Sequence, residues 1–230
     1  MDGFDPMNLE NFRSFYDTPV GRFTRQAIMS SLKLPAHPPT HNVLGVGYVE
    51  PFFDAITTAH KVALTPRPLL MDTQHAYPTL PLDDHAPFPL KDRTFDYVYV
   101  FHSFEYTTFP THFLREVWRM LAPDGKLVML VPEDHPAWHQ PPYNHLPPGH
   151  VHTDQDIETL LEDTFLTLTF EHGLVFSSAA TIGRAPSLCH AFEKALDWLP
   201  IRKGGHFRLR YAQKDRAHSH ERPHLSWQRA

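Results

Sequence analysis

Four groups of residues have types and spacing suited to chemistry. The first is the stretch HNVLGVGYVEPFF, residues 41–53, where an apolar run meets Gly45 and Gly47 before Tyr48. Glycine lets the backbone approach a bound group closely, and a turn between strand and helix is where nucleotide-like ligands sit. Val49, Glu50 and Pro51 follow, where such turns usually have small residues. The second group is His102 with Glu105. An unperturbed imidazole titrates near pH 6.5, so His102 suits a general base for a hydroxyl or acid nucleophile. A hydrogen bond to loop backbone is the plainer reading. The third is the pair Asp83 and Asp84, either of which can accept from an exocyclic amine or simply be solvated in a loop. The fourth is EDHPAWHQPPYNHLPPGHVH, with His135, His139, His145, His150 and His152. Loops of this kind act as lids, and Trp138 and Tyr143 could stack on a planar substrate. These histidines lack a recognised ligand spacing, so no metal site is expected.

The elements that would position these groups follow from periodicity. Residues 8–33 read as helical, with Phe12, Phe15 and Tyr16 on one face, a break at DTPVGRF, and a second helix carrying Phe23, Ile28 and Leu32. Tyr16 and Arg22 could close over a ligand, although packing on the sheet accounts for each. NVLGVG is a first buried strand and VEPFFDAITTA the helix after it. Strands are expected at HKVALTP, near Thr79–Leu82, at FDYVYVFHSF, KLVMLVPE, FLTLTFEHGLVFS and GHFRLRYAQK. Helices are expected at THFLREVWRMLAP (closed by the turn PDG), at TDQDIETLLEDT with Thr153 as cap, and at SLCHAFEKALDWLP. Alternating strands and helices predict an α/β doubly wound, mostly parallel sheet.

The chain has 230 residues, of which 41% are hydrophobic and 20% charged, so one sizeable domain with its own core is expected. A single cysteine excludes a disulfide framework and a thiolate zinc cluster within the chain. No signal pattern opens the sequence and no apolar run is long enough to span a bilayer. A cytoplasmic protein without a membrane partner is expected. The net charge of −5 is uneven: from Arg202 onward there are eight Lys/Arg against two Asp/Glu. A basic end can attract nucleic acid, or simply offset an acidic body. The 23 prolines gather in loops, where a fixed φ and a missing donor do no harm.

The segment TFDYVYVFHSFEYTTFPTHFLREVWRMLAPDGKLVMLVPE resembles the central signature of class I S-adenosylmethionine-dependent methyltransferases. In that family a strand beginning Phe-Asp runs to a His-x-x-Glu-like segment. A helix ending in Arg-x-Leu-x-Pro-Gly-Gly follows, then an apolar strand ending in Val-Pro. Here these are Phe95-Asp96, His102 to Glu105, Arg119 to Gly125 and Leu127 to Pro132, with Asp124 in place of the first glycine. FYDTPVGRFTRQAI and VLGVGYVEPFF are similar to a bacterial branch whose turn reads Gly-x-Gly-Tyr-x-x-Pro, and DHAPFPLKDRTFD to the family's acidic segment. The resemblance covers most of residues 10–176.

It implies a Rossmann-like, seven-stranded, mostly parallel sheet whose last two strands form an antiparallel pair. Residues 1–40 would be an N-terminal helical cap, 41–212 the core, and 213–230 a basic tail of one domain. S-adenosylmethionine would lie at the carboxyl edge, held by Gly45, Gly47 and Tyr48 and by Asp83 or Asp84 at the adenine. His102 and Glu105 would line the acceptor side as catalytic residues. The acid that usually grips the ribose is missing from the second strand, which ends KVALTPRP. Two functions remain open on this resemblance: a methyltransferase acting on a small-molecule or protein acceptor, and a non-catalytic domain that has lost the cofactor and binds a partner. A nucleic-acid-modifying protein using the basic end is a third.

Overall fold

The computed structural model describes residues 9–32, 40–53, 55–57, 60–66, 77–133, 149–150, 152–196 and 205–215. Two helices open it, α1 (Leu9–Asp17) and α2 (Pro19–Ser31). Asp17-Thr18-Pro19 joins them as a cap rather than a long break. The Thr18 side chain accepts from the Gly21 N–H at 2.9 Å, and Pro19 takes the first helical position, where its missing N–H costs nothing. The strands and helices that follow are β1 (Asn42–Gly47), α3 (Glu50–Phe53), β2 (His60–Pro66), β3 (Thr79–Leu82) and β4 (Phe95–Phe101). After a 3₁₀ turn (Phe104–Tyr106) come α4 (Pro110–Met120), β5 (Leu121–Pro132), α5 (Asp154–Glu162) and β6 (Leu166–Leu174). The described elements end with α6 (Ala179–Arg184), α7 (Pro186–Leu196) and β7 (Phe207–Lys214).

The seven strands form one sheet in the order β3-β2-β1-β4-β5-β7-β6. The first five run parallel, and β7 lies antiparallel to both β5 and β6. This is the expected Rossmann-like arrangement with an antiparallel last pair. Alternation along each strand divides the interior into two layers. Val43, Tyr97, Tyr99, Phe101, Val128 and Leu130 face α1, α2 and α3. Leu44, Val46, Val98, Val100, Leu127 and Met129 face α4 and α5.

Local expectations change in three places. Of the helix expected at VEPFFDAITTA, the described residues show only α3, Glu50–Phe53, with residues 55–57 outside any helix. The helix α4 stops at Met120, and Leu121 already begins β5, so Pro123-Asp124-Gly125 lies inside the strand. The pairing with β4 slips between Phe95 and Tyr97 to absorb the extra residues. The third change is α6, where Ser178 accepts from the Thr181 N–H and starts a helix of 6 residues that periodicity did not announce. No helix among the described residues is long and apolar enough to cross a membrane.

Candidate functional site

Parallel strands with crossovers on both faces bring the loops after β1, β3 and β4 to one edge, and the candidate residues lie there. Gly47 ends β1 opposite Phe101, the last residue of β4. Its φ is +97°, and a Cβ there would stand 2.3 Å from the Phe101 carbonyl oxygen. Tyr48 N–H then donates to that same carbonyl at 2.9 Å. Gly45 is close-packed too, since a Cβ would meet Val49 Cγ2 at 2.7 Å. Both glycines are therefore demanded by the turn's own packing. Tyr48 is 4% exposed, stacked on Phe12 at 5.2 Å and near Tyr16 at 6.0 Å between ring centroids. Burial first, then the Glu50 carboxylate, pushes its phenol above the ordinary tyrosine range.

Next to this turn, His102 follows the end of β4 with φ +50°, a left-handed conformation unusual for a non-glycine residue. Its side chain is buried under α1. Tyr16 Oη lies 2.6 Å from His102 Nε2, and Glu105 Oε1 lies 3.4 Å from Nδ1. The rings of Phe12, at 5.0 Å, and Phe207, at 5.9 Å, wall it in. Glu105 is 1% exposed, and its second oxygen, Oε2, has no hydrogen-bond partner. A buried polar atom left unpaired is costly, so such an atom marks a place where a partner fits. The Glu105 carbonyl accepts from the His150 N–H at 2.6 Å, and Gly149 packs against the Glu105 side chain. His152 packs on Phe104 with centroids 4.9 Å apart, and burial followed by the neighbouring His150 pulls its pKa down.

The acidic pair separates. Asp83 is exposed and its carboxylate accepts from the His85 N–H at 3.0 Å, a turn-forming role. Asp84 is 1% exposed, and its Oδ2 accepts from Thr107 Oγ1 at 3.0 Å and Thr108 N–H at 2.9 Å. Its Oδ1 has no hydrogen bond; the His85 imidazole stands 3.7 Å away. This ties the loop after β3 to the loop after β4. Thr107 and Thr108 were not singled out by sequence reasoning, because a hydroxyl that anchors a carboxylate across 23 residues leaves no local pattern. The end of β2 offers Thr65-Pro66 and no carboxylate. His135, His139, His145, Trp138 and Tyr143 lie outside the described residues. Among the described residues no group of three or more His, Cys, Asp or Glu is arranged to hold a metal ion.

The unbonded Oδ1 of Asp84 stands at the same carboxyl edge as the left-handed turn at Gly47. Residues 44–129 match the family described as a methyltransferase domain. No curated protein matches the chain in sequence. Among solved structures, an S-adenosylmethionine-dependent methyltransferase of Thermotoga maritima superposes with a TM-score of 0.64 at 15% identity, over 90% of this chain and 96% of that one. The Haloferax volcanii chain solved with the Trm112 methyltransferase activator gives 0.60 at 15% identity, over 89% and 93%. Geranyl diphosphate C-methyltransferase of Streptomyces coelicolor, solved with S-adenosyl-L-homocysteine, gives 0.55 at 14% identity, over 92% and 85%. These likenesses establish the fold.

Proposed function

We propose that this chain is an S-adenosylmethionine-dependent methyltransferase acting on a small-molecule or protein acceptor in the cytoplasm. The matched domain and the solved neighbours support the cofactor class. The observation that carries the reading is Asp84: a carboxylate 1% exposed, fixed through one oxygen by Thr107 and Thr108, with the other oxygen unbonded at the carboxyl edge. That oxygen would accept from the adenine amino group, while the backbone of Gly45–Tyr48 would hold the methionine part. The cofactor supplies a methyl group already activated by a positive sulfur. The protein's task is then to orient the acceptor, exclude water and take up a proton. His102 and Glu105 would serve that last task. Asp83 would stand on the adenine side, although its carboxylate accepts from the His85 N–H. Residues 1–40 would serve as the helical cap, 41–212 as the catalytic core, and 213–230 as an appended tail.

Calorimetric titration with S-adenosylhomocysteine tests this. Micromolar binding is expected, weakened at least about tenfold by Asp84→Asn, which keeps the size and gives up the full acceptor capacity. No heat at millimolar ligand would sink the proposal. A second reading rests on one observation, the near-complete burial of Tyr48 beneath Phe12 and Tyr16, beside a second strand without an acid. In it the domain keeps the fold and binds a partner instead of the cofactor. A folded wild-type chain that ignores the ligand would favour it.

A further inference from the structure

We infer that a cavity between α2, the end of β6 and α7 is a binding site for a small organic ammonium ion, held by the Glu193 carboxylate. This site is independent of the methyltransferase reading. The cavity has a volume of about 300 Å³. That is the lower end of the range for ligand sites, and at roughly 30 Å³ per heavy atom it admits about ten atoms. Its place in the fold is separate from the turns at Gly47 and His102. In the sheet order β6 is an edge strand, three strands from β4, or about 14 Å at roughly 4.8 Å per strand. Phe207, 5.9 Å from the His102 imidazole, and its β6 partner Leu174 lie between the two.

Helical spacing puts the carboxylate inside. Glu193 follows Cys189 by four residues and His190 by three, so the three share one face of α7. Cys189 is buried and His190 half-buried, whereas Leu188, Ala191 and Phe192 are exposed on the other side. The Glu193 carboxylate closes the turn after β6. Its Oε1 accepts from the Phe176 N–H at 2.8 Å and the Ser177 N–H at 3.0 Å. Those donors carry partial charges only, and burial still pushes the carboxyl up in spite of them. Among the described residues no cation is paired with it. Lys194 is next in sequence, but it lies about 100° further round the helix and is exposed. A half-buried carboxylate lining a cavity, without a full positive charge beside it, is completed by a cation that enters the cavity.

The rest of the lining selects the kind of cation. Among the described residues no group of three or more His, Cys, Asp or Glu is arranged to hold a metal ion, so the donor set does not suit one. Ala27, Leu174 and Phe176 present hydrocarbon to the same space. The His190 imidazole is seated on the Phe23 ring at 4.3 Å between centroids and gives the cavity a flat wall. Gln26, on α2, adds an amide that accepts from a second ammonium hydrogen. A primary ammonium on a short arm from an aromatic ring meets all of these: its charge on Glu193, its ring against the flat and apolar walls, and a size of about ten heavy atoms.

The test uses the full chain, labelled with nitrogen-15, and 2-phenylethylamine as the probe near pH 7. Its uncharged counterpart, 2-phenylethanol, is the control. The amine is expected to shift the amides of residues 26–30, 173–176 and 190–194 saturably, with a Kd of about 1 mM or tighter. The alcohol is expected to bind at least about tenfold more weakly, because it brings no charge to Glu193. Glu193→Gln keeps an acceptor for the Phe176 and Ser177 N–H groups and should weaken the amine about tenfold or more. A second variant covers the case in which that substitution loosens the turn. Ser30→Phe, at an exposed position of α2 on the cavity wall, fills the space without touching Glu193. It should abolish the shifts while leaving the circular dichroism unchanged. No saturable shift at about 10 mM amine, equal binding of the alcohol, or binding that survives Ser30→Phe would overturn the site. None of these outcomes bears on S-adenosylhomocysteine binding, which is measured separately.

Discussion

At the scale of single residues, the two turn glycines and the buried side chains beside them obey different rules. Gly47 is constrained twice, by φ +97° and by a Cβ position 2.3 Å from the Phe101 carbonyl. Gly47→Ala is therefore expected to cost roughly 2–4 kcal/mol from strain and clash together. Gly183, in the last turn of α6, is the control, since a Cβ there meets nothing within 4 Å. Gly183→Ala is expected to stabilise by about 0.5–1 kcal/mol. Urea unfolding of both variants checks the pair; equal effects would show that the turn is not under strain. This also explains what could be read from the sequence. Gly45, Gly47, His102, Glu105 and Asp84 were visible because each belongs to a short local pattern beside a strand. The pairing of Tyr16 with His102 spans 86 residues and depends on α1 folding back over the sheet edge, which spacing does not encode. The difference between Asp83 and Asp84 is a matter of burial, and adjacent identical residues carry no sign of which one turns inward.

At the scale of elements, β7 carries an unusual load. Arg208 and Arg210 are each 2% exposed and face Glu133, Asp154 and Glu171 from the ends of β5, α5 and β6. Three acids around two guanidiniums leave one negative charge in excess, and the carboxylates respond unequally. Burial pushes the Glu133 carboxyl up despite the two arginines. For Asp154 burial also pushes upward, but hydrogen bonds from Arg208 and Arg210 outweigh it and hold the carboxyl below its ordinary value. Neutralising the first should be cheap and the second costly. Glu133→Gln is expected to change stability by less than about 0.5 kcal/mol at pH 7. Asp154→Asn should cost about 1 kcal/mol, after discounting for a side chain one-third exposed. The sign with pH follows. A carboxylate with a depressed folded pKa contributes stability above its unfolded pKa, and that contribution is lost as pH falls through the folded value. The gap between wild type and Asp154→Asn should therefore close below about pH 4. Thermal melts from pH 7 to pH 3 measure it; a gap that holds at pH 3 would refute the assignment. The strand itself was evident from GHFRLRYAQK, but nothing local in that stretch marks its arginines as buried. Only the sheet order, with β7 between β5 and β6, explains why they are inside.

At the scale of the whole molecule, that same placement changes what the charge asymmetry means. From Arg202 onward the chain has eight Lys/Arg and two Asp/Glu. Three of those eight, Arg208, Arg210 and Lys214, are buried in β7. Arg208 and Arg210 are matched by carboxylates, while Lys214 donates to the Leu121 carbonyl and sits 4.2 Å from the centre of the Trp118 ring. Burial pulls the Lys214 pKa down to about 8, which weakens its charge further at mildly alkaline pH. Five Lys/Arg remain against Asp215 and Glu221, an excess of three charges on a chain whose formal net charge is −5. Three phosphates neutralised would give a slope of log affinity against log salt no steeper than about −2.7 on duplex DNA. A protein built to hold nucleic acid through six to ten phosphates would show twice that slope or more. Fluorescence anisotropy with a labelled 20-base-pair duplex, read from 50 to 200 mM salt, separates the two. The expected result is weak binding with a slope between zero and about −3, unchanged by Arg210→Met. A slope near −6 would exceed what those five cations can neutralise, would show a phosphate-binding face elsewhere on the molecule, and would move the methyl acceptor to a nucleic acid.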